Sequence, residues 1–196
     1  MPNLELTHKK DITPFRRLAI GTWRTAYDPS VYGTMQIRMD RVTAYIEAFR
    51  QKTGVRLTVS HLVARAAAEA LTKMPDANAL LRFNRVYLRK RIGVFFQVVL
   101  REEETGKLDL SGATLFDVED KSLSEIVTEM DLKVQSVRKG TDKALEKSRR
   151  SFHFVPLILM NYVLRIVSFL AYTLNLDLSS LGMPKDPFGS IMITNI

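Results

Sequence analysis

Cysteine is absent from the 196 residues, which excludes disulfides and thiolate zinc sites and is compatible with a reducing cytoplasm. Histidine is scarce: His8, His61 and His153 are the three, and no H-E-x-x-H pair is formed. Other recurrent catalytic signatures are missing as well: there is no G-x-S-x-G elbow, no P-loop and no dinucleotide fingerprint. The opening "MPNLELTHKK" lacks an apolar h-region, so no secretory signal is read and a cytoplasmic location is expected. Long runs of one charge are lacking too. The basic clusters "HKK" (His8 to Lys10), "LRKR" (Leu88 to Arg91) and "KSRR" (Lys147 to Arg150) are short, and no aromatic residues interleave with them in the manner of nucleic-acid platforms. Nucleic acid is therefore not expected as a partner.

What is present is an ordinary globular balance, 46% hydrophobic and 26% charged, in a length that suits one core. The net charge of +8 is compatible with solvated surface charge, an anionic membrane surface or a phosphate-bearing ligand. A single domain over 1–196 is expected.

Periodicity supplies the elements. Thr13 and Pro14 read as the start of a short helix in which Phe15, Leu18, Ala19 and Trp23 share a face. "VYGTMQIRM" alternates Tyr32, Thr34, Gln36 and Arg38 against Gly33, Met35, Ile37 and Met39, which predicts a strand. Asp40 can cap a helix ended by Gly54, with Val42, Tyr45, Ile46 and Phe49 on one face. "TVSHLVARAAAEALTKMP" predicts a helix capped by Thr58 or Ser60 and closed by Pro75. Strands follow in "NRVYLRKRIGVFFQVVLREEETGKLDLSGATLF". Its apolar run from Val94 to Leu100 suggests a strand buried on both faces, and Glu104-Thr105-Gly106 a turn. "DKSLSEIVTEMDLKVQSVRKG" carries a stripe of Leu123, Ile126, Val127, Met130, Val134 and Val137, as an amphipathic helix does.

Two later stretches bear on function. The tripeptide Asp142-Lys143-Ala144 matches the lipoylation motif in letters only, because its polar, helical flanks do not offer the tight β-turn that the lysine requires. Phe154 to Leu176 is apolar over a length that can span a bilayer. Against spanning, Arg165 lies in its middle, and Asn161, Arg165, Ser168, Tyr172 and Asn175 fall on one helical stripe. Packing against protein, lying along a membrane surface and spanning all remain open for it.

Taken together and in order, several stretches resemble the catalytic domain of the dihydrolipoamide acyltransferases of 2-oxo acid dehydrogenase complexes. They are "RRLAIGTWRTAYD", "GVRLTVSHLVARAAAEALTKMPDANALL" with its Pro75-x-x-Asn78 turn, "RVYLRKRIGVFFQVVL", "DKSLSEIVTEMDLKVQSVRKG" and the terminal "FGSIMITNI". The resemblance implies a chloramphenicol acetyltransferase-like α+β (α/β sandwich) fold, a mixed sheet flanked by helices, with 154–176 as an inserted apolar helix. It implies transfer of an acyl group between coenzyme A and a dihydrolipoyl-type thiol, without a metal. It implies a homotrimer or larger assembly of trimers with its active site between subunits, and a lipoyl-bearing partner. Thr194 falls where the family's hydroxyl stabilises the oxyanion, although a strand threonine bonded to backbone is the alternative reading. Arg89, Lys90 and Arg91 are candidate contacts for coenzyme A phosphates, with surface charge as the plainer account. The family's H-x-x-x-D-G general base does not occur in these residues, nor do a lipoyl domain and linker. His8, His61 and His153 lack its spacing. The strand composition running up to Ile196 leads us to expect that the base-bearing segment follows it, and that catalysis is incomplete without it. The alternative is a non-catalytic assembly protein keeping the fold and docked on a partner or on a membrane surface through 154–176.

Overall fold

The computed structural model describes residues 2–14, 31–101, 108–138 and 155–195. The helix expected at 13–30, the turn at Glu104–Gly106 and the Asp142-Lys143-Ala144 tripeptide lie largely or wholly outside these residues.

Among the described residues, two three-stranded sheets and four α-helices make up an α+β architecture. Strands β1 (Leu6–His8), β2 (Ala79–Arg82) and β3 (Arg85–Arg89) form an antiparallel sheet in the order β1-β3-β2. Strands β4 (Gly93–Arg101), β5 (Leu108–Phe116) and β6 (Ile191–Ile193) form a mixed sheet in the order β5-β4-β6. There β5 runs antiparallel to β4, and β6 runs parallel to it with Phe95 opposite Met192. This is the mixed sheet flanked by helices that the family resemblance implies.

Local chemistry accounts for the helices. Helix α1 (Asp40–Thr53) ends at Gly54, which takes the left-handed φ of 70° that a Cβ disfavours. Asp40 does not cap it; Asp40 is the first helical residue, and Met39 stands at the cap position. Helix α2 (Val59–Lys73) begins with a capping box. The Thr58 N–H donates to Nδ1 of His61 at 3.1 Å, and the Thr58 side chain accepts from the His61 backbone. In helix α3 (Leu123–Arg138), Ile126, Val127 and Val137 are buried, as its stripe predicts.

The core lies on one face of the mixed sheet. Ala64 and Ala68 of α2 and Ile126 of α3 meet Val94 and Phe96 of β4 and Leu115 of β5, with Ile191 and Ile193 of β6 packed against them. A satellite cluster of Ile46, Leu57 and Val127 fastens α1. Each fully buried aliphatic side chain contributes about 1.5–3 kcal/mol.

Three expectations are corrected here. Residues 31–39 form no strand: they run exposed, with Val31 at 93% and Tyr32 at 94%, and no described residue offers them a ladder. Alternation specifies a face, but a strand also needs a partner for its N–H and C=O groups. Strand β4 is not buried on both faces. Val94, Phe96 and Val98 point into the core, whereas Phe95 and Gln97 are half-buried and Val99 is exposed. An apolar run without alternation does not reveal which face stays open. The apolar helix is shorter than its 154–176 run: α4 (Leu157–Ser168) passes into a π-helical turn at Phe169–Thr173 and stops at Asn175, whose φ is 58°. Among the described residues no helix is long and apolar enough to cross a membrane.

Candidate functional site

The open face of the mixed sheet is the floor of a groove of about 820 Å³. Phe95, Gln97, Thr114 and Met192 line that floor, and one wall is formed by Leu164, Val167 and Ser168 of α4 with Ala171 of the π-helical turn after it. Strand parity places these residues together: every second side chain of β4 and of its neighbours leaves the core and faces the groove. Gly112 opens the floor. A Cβ there would overlap the Phe95 ring, which instead lies down across the sheet and meets Phe188 at 5.4 Å between ring centroids. The result is an apolar trough with a few polar groups along it, the usual character of a small-molecule site.

One end of the groove is polar and rigid. Arg89 of β3 and Asp186, both side chains about 10% exposed, form an ion pair, and Arg89 also donates to the Gly189 carbonyl at 2.6 Å. The second Asp186 oxygen, Oδ1, is buried and has no hydrogen-bond partner among the described residues. Tyr172 adjoins them; burial raises its phenol above the ordinary range, the Asp186 carboxylate adds to that, and Arg89 partly offsets it. The N-terminal segment closes this end. Asn3 donates through Nδ2 to the Ala171 carbonyl at 3.1 Å and accepts from the Asp186 N–H at 3.1 Å. Asn175 accepts from the Leu4 N–H at 2.6 Å and donates to the Leu4 carbonyl at 2.9 Å. The polar stripe of the apolar run is therefore divided. Tyr172 and Asn175 turn inward, Ser168 borders the groove, and Asn161 and Arg165 are exposed.

The residues singled out from the sequence do not all meet. Thr194 is exposed immediately after β6, two residues beyond the groove-lining Met192 and on the same strand parity. Arg89 is committed to Asp186. Lys90 is exposed, its backbone N–H bonded to the Glu5 carbonyl at 3.0 Å. Arg91 lies over the Phe116 ring at 4.8 Å and forks onto both oxygens of Asp117, with the shortest contact 2.5 Å. Arg89 and Arg91 thus point to different acids, and the Lys90 side chain stands exposed between them in sequence. Asp186 and Tyr172 are the members that sequence reasoning missed. Tyr172 is visible in the polar stripe, but nothing local to Asp186 announces a partner 97 residues upstream.

The two described histidines have other occupations. His61 is buried under Phe96 with its ring nitrogen in the α2 cap, and burial lowers its pKa while Asp131 opposes that. His8, on β1, is exposed beside the Tyr87 ring at 5.2 Å. Among the described residues no group of three or more His, Asp or Glu is placed to hold a metal.

With this geometry in place, comparison with known proteins is informative. The family model "2-oxoacid dehydrogenases acyltransferase (catalytic domain)" matches residues 7–153. The chain belongs to that family. The match stops short of α4 and β6. No curated protein matches the chain. Among solved structures, dihydrolipoamide acetyltransferase of Azotobacter vinelandii is 24% identical, with a TM-score of 0.44 over 53% of this chain and 42% of that one. The cubic core of a pyruvate dehydrogenase multienzyme complex is 26% identical, with a TM-score of 0.44 over 52% and 42%. A probable dihydrolipoamide acetyltransferase of Listeria monocytogenes 4b F2365 is 19% identical, with a TM-score of 0.42 over 50% and 39%. The chain spans less than half the length of these solved chains.

Proposed function

We propose that the protein is an acyltransferase that moves an acyl group between coenzyme A and a dihydrolipoyl-type thiol, working as a trimer or an assembly of trimers with a lipoyl-bearing partner. Membership of the family over residues 7–153 carries this reading. In the proposed step the thiol sulfur attacks the thioester carbonyl carbon as a general base takes its proton. The tetrahedral intermediate then collapses, the bond to the coenzyme A sulfur breaks, and that sulfur receives the proton.

The groove on the open sheet face takes the apolar part of the thioester arm, and Thr194, at the end of β6, donates its hydroxyl hydrogen to the oxyanion. Such a donor on a rigid strand is worth about 3–4 kcal/mol in the transition state. Coenzyme A phosphates are assigned to the basic corner, through Lys90 and through Arg91, which would share its guanidinium between a phosphate and Asp117. Arg89, already paired with Asp186, supports that corner from beneath. His8 and His61 are occupied as described, so the base is assigned to neither.

The test is thioester exchange between acetyl-coenzyme A and free dihydrolipoamide, measured on the native assembly. Turnover that falls at least about a hundredfold in Thr194→Val, at unchanged melting temperature, supports the reading. No exchange by a folded native assembly would replace it with the alternative, a non-catalytic assembly protein that keeps the fold.

A further inference from the structure

Helix α4 faces both ways. Met160, Val163, Val167 and Leu170 turn toward the protein and are half-buried. On the opposite side Ile158, Tyr162, Ile166 and Phe169 recur at spacings of four, four and three, which is one helical stripe. They are exposed, Ile158 at 82%, Tyr162 at 64% and Ile166 at 60%. A contiguous outward stripe of large apolar side chains marks an interaction surface rather than scattered exposure.

We infer that this outer stripe of α4 docks the protein on an anionic lipid surface, with the helix lying in the plane of the interface. Charge identifies the occupant. Between Glu146 and Asp177 there is no acidic residue, while Lys147, Arg149, Arg150 and Arg165 contribute four cations, in a chain whose net charge is +8. Basic residues close in sequence to an apolar stripe suit anionic headgroups, each cation adding electrostatic attraction near the surface. Tyr162 has the amphipathic ring that settles at headgroup level. Length rules out spanning: α4 with its π-helical turn covers about 25 Å at most, under the ~30 Å of a hydrocarbon core, and its inner face lines the groove.

Vesicle flotation tests this, independently of any acyltransferase activity. The protein should float with vesicles of equimolar phosphatidylglycerol and phosphatidylcholine at low salt, and binding should fall several-fold at about 0.5 M salt. The double variant Ile158→Ser/Ile166→Ser removes apolar contact where the protein itself has little packing to lose. Its vesicle affinity should drop at least about tenfold with an unchanged circular dichroism spectrum. A second measurement uses the absence of native cysteine: a spin label on Ile158→Cys should lose contact with a water-soluble relaxation agent and gain contact with oxygen when anionic vesicles are added. Equal binding to pure phosphatidylcholine at both salt concentrations overturns the inference. So does a label that stays water-exposed, and so does a concentration-dependent dimer abolished by the double variant.

Discussion

Replacing Gly189 with alanine should cost about 3–5 kcal/mol of folding stability, and the reason is a close approach between two glycines. Gly189 has a φ of 62°, in the left-handed region, where an L-residue pays about 1–2 kcal/mol. Space is the larger problem. A Cβ at 189 would lie 2.5 Å from the Gly93 carbonyl oxygen and 2.6 Å from its carbon, both backbone atoms of β4. Relief requires the lead-in to β6 to move away from β4. That movement strains the Ser190 N–H bond to the Gly93 carbonyl (2.6 Å) and the Arg89 bond to the Gly189 carbonyl (2.6 Å). Those bonds contribute about 1 and about 1.5–3 kcal/mol respectively. Gly54→Ala is the control: Gly54 has a φ of 70° but nothing within 4 Å of the added Cβ, so it bears the conformational cost alone, about 1–2 kcal/mol. Urea denaturation of both variants isolates the difference. With a slope of about 2–3 kcal/mol per molar, the Gly189→Ala midpoint should fall by roughly 1–2.5 M and that of Gly54→Ala by about 0.3–1 M. Equal losses in the two variants would refute the close approach and, with it, the anchoring of β6 on β4.

Other outcomes follow from the same contacts. Arg89→Met should destabilise by about 3–5 kcal/mol, because Asp186 is left charged and buried, and Arg89→Met/Asp186→Asn should recover much of that loss in thermal denaturation. Burial depresses the His61 pKa in the fold, so between its folded pKa and the ordinary value of 6.5 the unfolded chain binds the proton more readily. Stability contributed by neutral His61 is therefore complete above pH 6.5 and declines on acidification below it. His61→Gln, which keeps a capping-box acceptor at the same position, should flatten the pH dependence of the urea midpoint between pH 7.5 and 5.5. Asp177 is held down to about 2, first by the Ser179 side chain, then by the Ser179 N–H and Lys185. Its carboxylate should accordingly resist protonation in a carbon-13 titration until well below the ordinary aspartate range.

Where a residue's fate was decided by its neighbours in sequence, it was legible there. Thr58 and His61 are three apart, and Gly54 closes α1 by a property of glycine alone. The order of helices and strands and the family resemblance followed from such local signals. The open face of β4 did not. Phe95 and Val99 are as apolar as Val94 and Phe96, and only the position of α2 and α3 decides which set is buried. Residues 31–39 failed in the opposite sense, since their alternation is sound but strand formation depends on a distant edge. At the site, the basic trio read as one cluster in sequence. Strand alternation and long-range acids sent Arg89 to Asp186 and Arg91 to Asp117.

The knot of hydrogen bonds at the closed end of the groove has a temporal consequence. Asn3 and Leu4 are synthesised well before their partners Ala171, Asn175 and Asp186. At about 5–20 residues per second, roughly 10–40 s of synthesis pass before Asp186 exists to receive them. During that interval the β1 edge has no clasp, and β4 lacks the parallel neighbour that residues 191–193 provide. Helix α2, β4, β5 and α3 are contiguous enough to gather co-translationally, whereas the groove can only be completed once residues up to Met192 have emerged. A nascent chain arrested before residue 171 should therefore resist protease over α2 to α3 and be cut readily ahead of residue 14.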